Sequence, residues 1–240
     1  MTKPPFDPNA SLEELLAKAR ARFGELVFDQ VEIGGAPLDI LQVKDMPAYI
    51  DKLLARAGAG KKVDLPLWAK VWPTNVVLSM FLGKYPFPQD FEFLEIGAGV
   101  GLAGLVLARR GYAVTITDIE PDALLFSRIN ALRNGLADKV DIRIADFTKD
   151  RLGRRYDVIL GCEILFRKSF FEPLGLFLGE HLSDRAEAEI VLGSDGARQG
   201  LDFFKKAAET YAMMRKDVEY ADMECDEQKT ACLYRLRRKQ

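Results

Sequence analysis

"LEIGAGVGLAG", residues 94–104, decides the fold. An apolar run breaks into closely spaced glycines and then turns helical again, as a strand does when it feeds a helix through a turn that cradles a nucleotide. Working outward, "FEFLEI" (91–96) reads as the strand, "GLAGLVLARRG" (101–111) as a helix that Gly111 closes, and "AVTITD" (113–118) as the next strand. Glu120 and Pro121 open a helix over "DALLFSRINALRNG" (122–135), with Pro at the first helical position and Gly135 just past the end. Val140, Ile142 and Ile144 alternate in "VDIRIADF" (140–147), and "YDVILGCEILF" (156–166) is a buried run that meets a glycine and then an acid. Further strands are expected at "AEIVLGSD" (188–195) and "TACLYRLRR" (230–238), with a helix across "LDFFKKAAETYA" (201–212) between them. This alternation of strand and helix is that of a doubly wound α/β sheet.

Ahead of that region, Ser11 with Glu14 three residues on is a capping box for a helix reaching about Phe23. "FDQVEIGGAPLDILQV" (28–43) reads as a hairpin about Gly34 and Gly35, and "MPAYIDKLLARAG" (46–58) as a helix that Gly58 can end. Residues 1–64 are therefore expected to pack as a helical and hairpin cap on the domain formed by 65–240. With 240 residues, 48% of them hydrophobic, the chain is long enough for one full core and too short to require two. A net charge of -2 provides no global field for nucleic acid, and no apolar stretch approaches the length of a membrane span, so neither is expected as a partner. Cys162, Cys225 and Cys232 are few and lack metal-ligand spacing, so no metal is expected and the chain reads as a reduced, cytoplasmic protein, expected as a monomer.

Two frames compete for the glycine turn. Gly99-x-Gly101-x-x-Gly104, with Asp118 downstream, satisfies the dinucleotide pattern and would hold NAD. The other frame is Glu95-x-Gly97-x-Gly99-x-Gly101. It puts an acid at the strand end, where a carboxylate repels a pyrophosphate and suits a sulfonium or ammonium ligand. Glu95, Asp118 and Glu120 also fit the simpler role of capping the helices that follow them.

The acid-Gly-Gly-Gly frame resembles the first motif of class I S-adenosylmethionine-dependent methyltransferases. That resemblance implies a Rossmann-like, mostly parallel seven-stranded sheet with an antiparallel last strand, S-adenosyl-L-methionine as cofactor and S-adenosyl-L-homocysteine as product. It also implies that Glu95, Gly97, Gly99 and Gly101 bind the cofactor, that Asp118 in "TITDIEP" takes the ribose hydroxyls, and that Asp146 and Phe147 hold the adenine; Cys162 reads as a small buried hydrophobe with its backbone at the cofactor. "PLWAKVWPTNVVLSMFL" (66–82), a Trp-Pro step opening an amphipathic helix, is similar to the protein-lysine methyltransferases of this fold (methyltransferase-like family 16), where the equivalent of Trp72 borders the cofactor. The fourth strand of that group ends in acid-x-x-Tyr. Here the stretch is Glu163-Ile164-Leu165-Phe166, so the acid is Glu and no tyrosine hydroxyl is present.

Methyl transfer to an amine requires alignment, exclusion of water and a group that receives the ammonium, because protonated lysine has no lone pair. Glu163, at the carboxyl end of its strand, and Phe166 are the candidate catalytic residues, with Trp68 as a second aromatic wall. A protein lysine is the expected acceptor. A small-molecule amine and a non-catalytic binding module are the alternatives. Nucleic-acid bases rank low, since Gly161-Cys162-Glu163 stands where base-amine enzymes carry Asp or Asn followed by two prolines and an aromatic residue. His181, in the polar stretch "GEHLSDRAEAE", reads as a surface residue, "RLRRKQ" (235–240) as a solvated strand end, and Arg198 as a loop residue on the substrate side.

Overall fold

The computed structural model describes residues 4–57, 65–197, 200–222 and 227–239. Helix α1 (Leu12–Phe23) starts with both halves of the Ser11–Glu14 capping box in place. The hairpin β1 (Leu26–Ile33) and β2 (Ala36–Val43) follows, and then helix α2 (Met46–Ala57); Gly58 lies outside the described residues. Trp72 and Pro73 open α3 (Pro73–Lys84), which buries Leu78 and Leu82 and leaves Met80 48% exposed.

The main sheet has seven strands: β3 (Glu92–Ile96), β4 (Ala113–Asp118), β5 (Val140–Ile144), β6 (Val158–Cys162), β7 (Glu189–Asp195), β8 (Tyr211–Asp222) and β9 (Glu227–Arg238). Their order across the sheet is β5-β4-β3-β6-β7-β9-β8, parallel except for β9, which runs antiparallel between β7 and β8. The chain winds outward from β3 in one direction and from β6 in the other. That reversal opens a crevice at the carboxyl ends of β3 and β6.

Both faces of the sheet are buried, and the strand side chains alternate between them. Phe93, Val158, Leu160 and Val191 join one apolar cluster, and Leu94, Ile159, Ile190 and Leu192 the other. The first cluster includes α3, helix α4 (Leu102–Arg109) and helix α5 (Pro121–Arg133), together with Leu15, Phe23, Ile33 and Leu41 from the N-terminal elements. Helices α6 (Phe171–His181) and α7 (Leu201–Thr210) cover the second.

The hairpin is fastened by side chains. Asn130 on α5 accepts from the Leu41 amide (2.8 Å) and donates to the Val100 carbonyl (3.0 Å), and Asn134 one turn later exchanges two hydrogen bonds with the Asp39 backbone. These amides satisfy part of the β2 edge, which a two-stranded ribbon would otherwise expose. Arg109 at the end of α4 donates to the Ile33, Ala36 and Pro37 carbonyls at the hairpin turn.

Three expectations are corrected. The helix read over 201–212 stops at Thr210, and Tyr211 begins β8, a strand with little periodic signal because most of its side chains are exposed. His181 is buried, 2% exposed, rather than on the surface. It closes the apolar face of α6 one turn after Phe177, on which it stacks at 4.0 Å, and Nε2 accepts the Leu152 amide (2.9 Å) while Nδ1 donates to the Phe177 carbonyl (2.8 Å). Burial lowers its pKa. The basic end is bonded rather than solvated: Arg235 and Arg237 both reach Glu189, itself 1% exposed, and Arg238 bonds the Gly179, Leu182 and Ser183 carbonyls.

Candidate active site

A cavity of about 560 Å³ lies over the carboxyl ends of β3, β4, β5 and β6. Its floor is the turn after β3. Gly97, Ala98, Gly99 and Val100 line it, and the turn passes so close to the segment before α3 that a Cβ on Gly99 would sit 2.9 Å from the Trp68 carbonyl oxygen. At φ +56° that position also lies in the left-handed region, so both space and conformation require glycine.

Asp118 ends β4 at the cavity wall. One carboxylate oxygen accepts the Gly99 amide (2.8 Å) and the other the Glu120 amide (2.9 Å), so this side chain fixes the glycine turn and starts α5. Burial lifts its pKa above the ordinary range, against the pull of those two amides.

Glu95 and Gly101 do not line the cavity. The Glu95 carboxylate is 2% exposed and accepts the Gly104 amide (2.8 Å) in the first turn of α4, and a Cβ on Gly104 would stand 2.6 Å from that oxygen. Burial, with Asp118 adding repulsion, pushes its pKa up to about 8. The argument from a negative charge facing a cationic ligand therefore does not hold at this residue: the side chain points into the helix start and favours its neutral form near pH 7. Gly101 is the N-cap of α4, against Ser127.

Asp146 and Phe147 line the far wall after β5. One Asp146 oxygen accepts from the Thr148 amide and hydroxyl and the other pairs with Lys149 (3.1 Å). Burial works to raise its pKa, but those bonds outweigh it and hold the carboxyl low. Trp72 lines the near wall, its indole N–H bonded to the Leu67 carbonyl (2.9 Å) and the Lys70 ammonium over its ring at 5.2 Å. Trp68 lines the same wall and packs edge-on between Phe23 and Phe126, so it serves the core and the cavity together.

Cys162 and Glu163 complete the lining where β6 ends. Among the described residues, Glu163 is the one non-glycine with positive φ, at 57°. Its amide donates to the Gly193 carbonyl (2.9 Å) and its Oε1 accepts the Asp195 amide (2.7 Å), so the end of β7 holds this carboxylate in a sparsely populated conformation. Phe166 is 53% exposed at the mouth and meets Phe170 edge-on, which in turn meets Phe147. Phe170 and Arg167 also line the cavity and escaped the sequence reading; an aromatic four residues after Phe166 was the available signal. Arg198 lies outside the described residues. The arrangement offers a backbone cradle, acids at the ends of β4 and β6, and an aromatic mouth.

A family model described as lysine methyltransferase matches residues 64–210. The chain belongs to that family. It is 31% identical to a protein N-lysine methyltransferase of Xenopus tropicalis over 178 residues, covering 72% of this chain and 78% of the relative. It is 39% identical to a protein N-lysine methyltransferase of Danio rerio over 123 residues, covering 48% and 55%. Among solved structures, a putative RNA methyltransferase from Pyrococcus horikoshii superposes with a TM-score of 0.57 at 16% identity, over 78% of this chain and 97% of that one, which shows a common fold. As a member of the family, this lysine methyltransferase uses S-adenosylmethionine; the NAD frame of the glycine turn is set aside.

Proposed function

We propose that this lysine methyltransferase moves a methyl group from S-adenosylmethionine to the ε-amine of a lysine on a protein, with Glu163 receiving the amine. The observation that carries the acceptor assignment is the Glu163 carboxylate, held by the end of β7 in a left-handed conformation at the wall of the cavity, beneath the exposed Phe166.

The cavity suits the cofactor in shape and chemistry. The Gly97–Gly99 backbone allows close approach, Asp118 offers carboxylate oxygens to ribose hydroxyls, and Trp72, Phe147 and Asp146 border a space for the adenine ring and its amino group, with Cys162 on the wall of the same cavity. Bound there, the cofactor supplies an electrophilic methyl on a sulfonium. The remaining steps fall to the chain. Lysine arrives as an ammonium with a pKa of about 10.4 and must lose a proton before its nitrogen can attack. Glu163 attracts and orients that ammonium, Phe166, Phe170 and Trp68 wall the approach and strip water from it, which lowers its pKa, and the proton passes to the Glu163 carboxylate. Once the lone pair is free, alignment of nitrogen, methyl and sulfur provides much of the acceleration.

A protein rather than a small amine is favoured by the mouth, where Leu65, Leu67, Ile119 and Phe166 are each at least 45% exposed around the opening. The names of the two relatives point the same way. We place the reaction in the cytoplasm on the strength of the low cysteine content. No helix among the described residues is long and apolar enough to cross a membrane. Incubating the protein with methyl-labelled S-adenosylmethionine and cell extract tests the acceptor. Acid hydrolysis of the labelled protein fraction is expected to release Nε-methyllysine; label confined to methylarginine or to small molecules would overturn the reading.

A further inference from the structure

The lining of the cavity mouth contains an arginine that the chemistry above does not use. Arg167 is exposed, and its guanidinium carbon lies over the Phe166 ring at 5.5 Å and over the Phe170 ring at 5.7 Å. Its guanidinium makes no hydrogen bond or ion pair with any of the described residues. The next residue, Lys168, by contrast pairs with Asp202 (3.0 Å).

Geometry shows what Arg167 has left to offer. The guanidinium carbon lies within cation–π reach of both rings, and the group's N–H donors remain available in a fork that matches a carboxylate. Phe166 and Phe170 meet at 86°, so the guanidinium sits in the angle between two rings that themselves border the amine approach. Four residues earlier in the chain Glu163 places a carboxylate on the wall of the same cavity. A substrate complementary to this pair places a cation beside Glu163 and an anion beside Arg167.

We infer that Arg167 is a specificity-determining residue that binds an aspartate or glutamate flanking the target lysine on the protein substrate. The inference rests on the lysine reading above and names the substrate class for it: a lysine in an acidic segment. The lysine ammonium goes to Glu163 and the neighbouring carboxylate to the edge of Arg167, so the two contacts together fix the register of the segment across the mouth. The exposed apolar rim of Leu67 and Ile119 covers the backbone on either side.

The test uses the full chain, S-adenosylmethionine and a set of synthetic peptides, each with one lysine in a Gly-Ala-Ser background and one aspartate, alanine or arginine walked through the flanking positions. Mass spectrometry reads methyl transfer, and calorimetry reads cofactor affinity. The expected result is a preference for aspartate over alanine at one or two positions. It amounts to about tenfold in kcat/KM, carried by KM for the peptide, as for one charge-assisted pair. Arg167→Glu should reverse the preference toward arginine-flanked peptides, and Arg167→Lys should retain part of it, with cofactor affinity unchanged in both. Acid preference that survives in Arg167→Glu, or wild-type transfer indifferent to the flanking charge, would overturn the inference and leave the lysine reading standing. Loss of cofactor affinity in Arg167→Glu would assign the guanidinium to the cofactor and also overturn it. If the wild type binds cofactor and methylates no lysine peptide, the inference is overturned, and the labelled-extract experiment above decides the lysine reading separately.

Discussion

Glu95 shows how one residue can point to the right conclusion through the wrong physics. In the sequence its charge separated a sulfonium ligand from a pyrophosphate, yet the side chain is buried under α4 with the Gly104 amide on its carboxylate. Its pKa rises from an ordinary 4.5 to about 8, so the folded chain holds a proton that the unfolded chain releases between those values. Stability from this group is therefore fully present below pH 4.5 and declines as pH rises toward 8. Glu95→Gln keeps an acceptor for Gly104 and removes the titration. Thermal melts of the two proteins should diverge with rising pH, the wild type losing on the order of a few kcal/mol relative to the variant between pH 5 and pH 8; parallel curves would contradict the assignment. Asp118, Asp146, Phe147, Cys162, Glu163 and Phe166 were legible because strand ends at the carboxyl edge of such a sheet converge on one crevice. Arg167 and Phe170 were missed: Phe170, four residues after Phe166, had a spacing signal that went unused, while nothing in the sequence indicated the direction of Arg167.

At the scale of elements, the strands and helices next to the glycine turn were readable because burial on both faces leaves long apolar runs bounded by glycine and proline. Strand β8 was not readable. It is the edge strand beyond β9, and from Ala212 to Asp217 its side chains are exposed, so hydrophobic periodicity is absent. His181 had a usable signal, since Leu174, Phe177, Leu178 and His181 fall on one helical face, but the polar residues after it drew the reading to the surface. The tie between hairpin and active site could not be read at all. Asn130 links β2 to the Val100 carbonyl through a side chain 89 residues from one partner and 30 from the other. Asn130→Ala leaves a buried amide and a buried carbonyl without partners and should lower stability by about 2–4 kcal/mol, at about 1–3 kcal/mol for each lost partner less some relaxation. Because Val100 lines the cavity, the same change should weaken S-adenosylmethionine binding, measured by calorimetry well below the melting temperature. A variant that is destabilised yet binds the cofactor as tightly as the wild type would show that the hairpin supports the fold without shaping the turn.

For the molecule as a whole, the two windings of the sheet assign separate tasks to its two halves. Strands β3 to β5 bring the glycine turn, Asp118, Asp146 and Phe147 to one side of the crevice, while β6 and β7 hold Glu163 at the other. A cofactor half and an acceptor half can then fail independently, and this separation is the most specific consequence of the account. The measurement that tests it is methyl transfer to protein lysine by Glu163→Gln, made alongside calorimetric titration of the same protein with S-adenosylmethionine. The amide can still accept from Asp195 but no longer carries the charge that receives an ammonium. The account predicts cofactor affinity within about twofold of the wild type and transfer reduced by about a hundredfold or more, in the range of a lost acid–base group. Transfer at the wild-type rate with affinity intact would contradict the role given to Glu163, and with it the assignment of this end of the cavity to lysine.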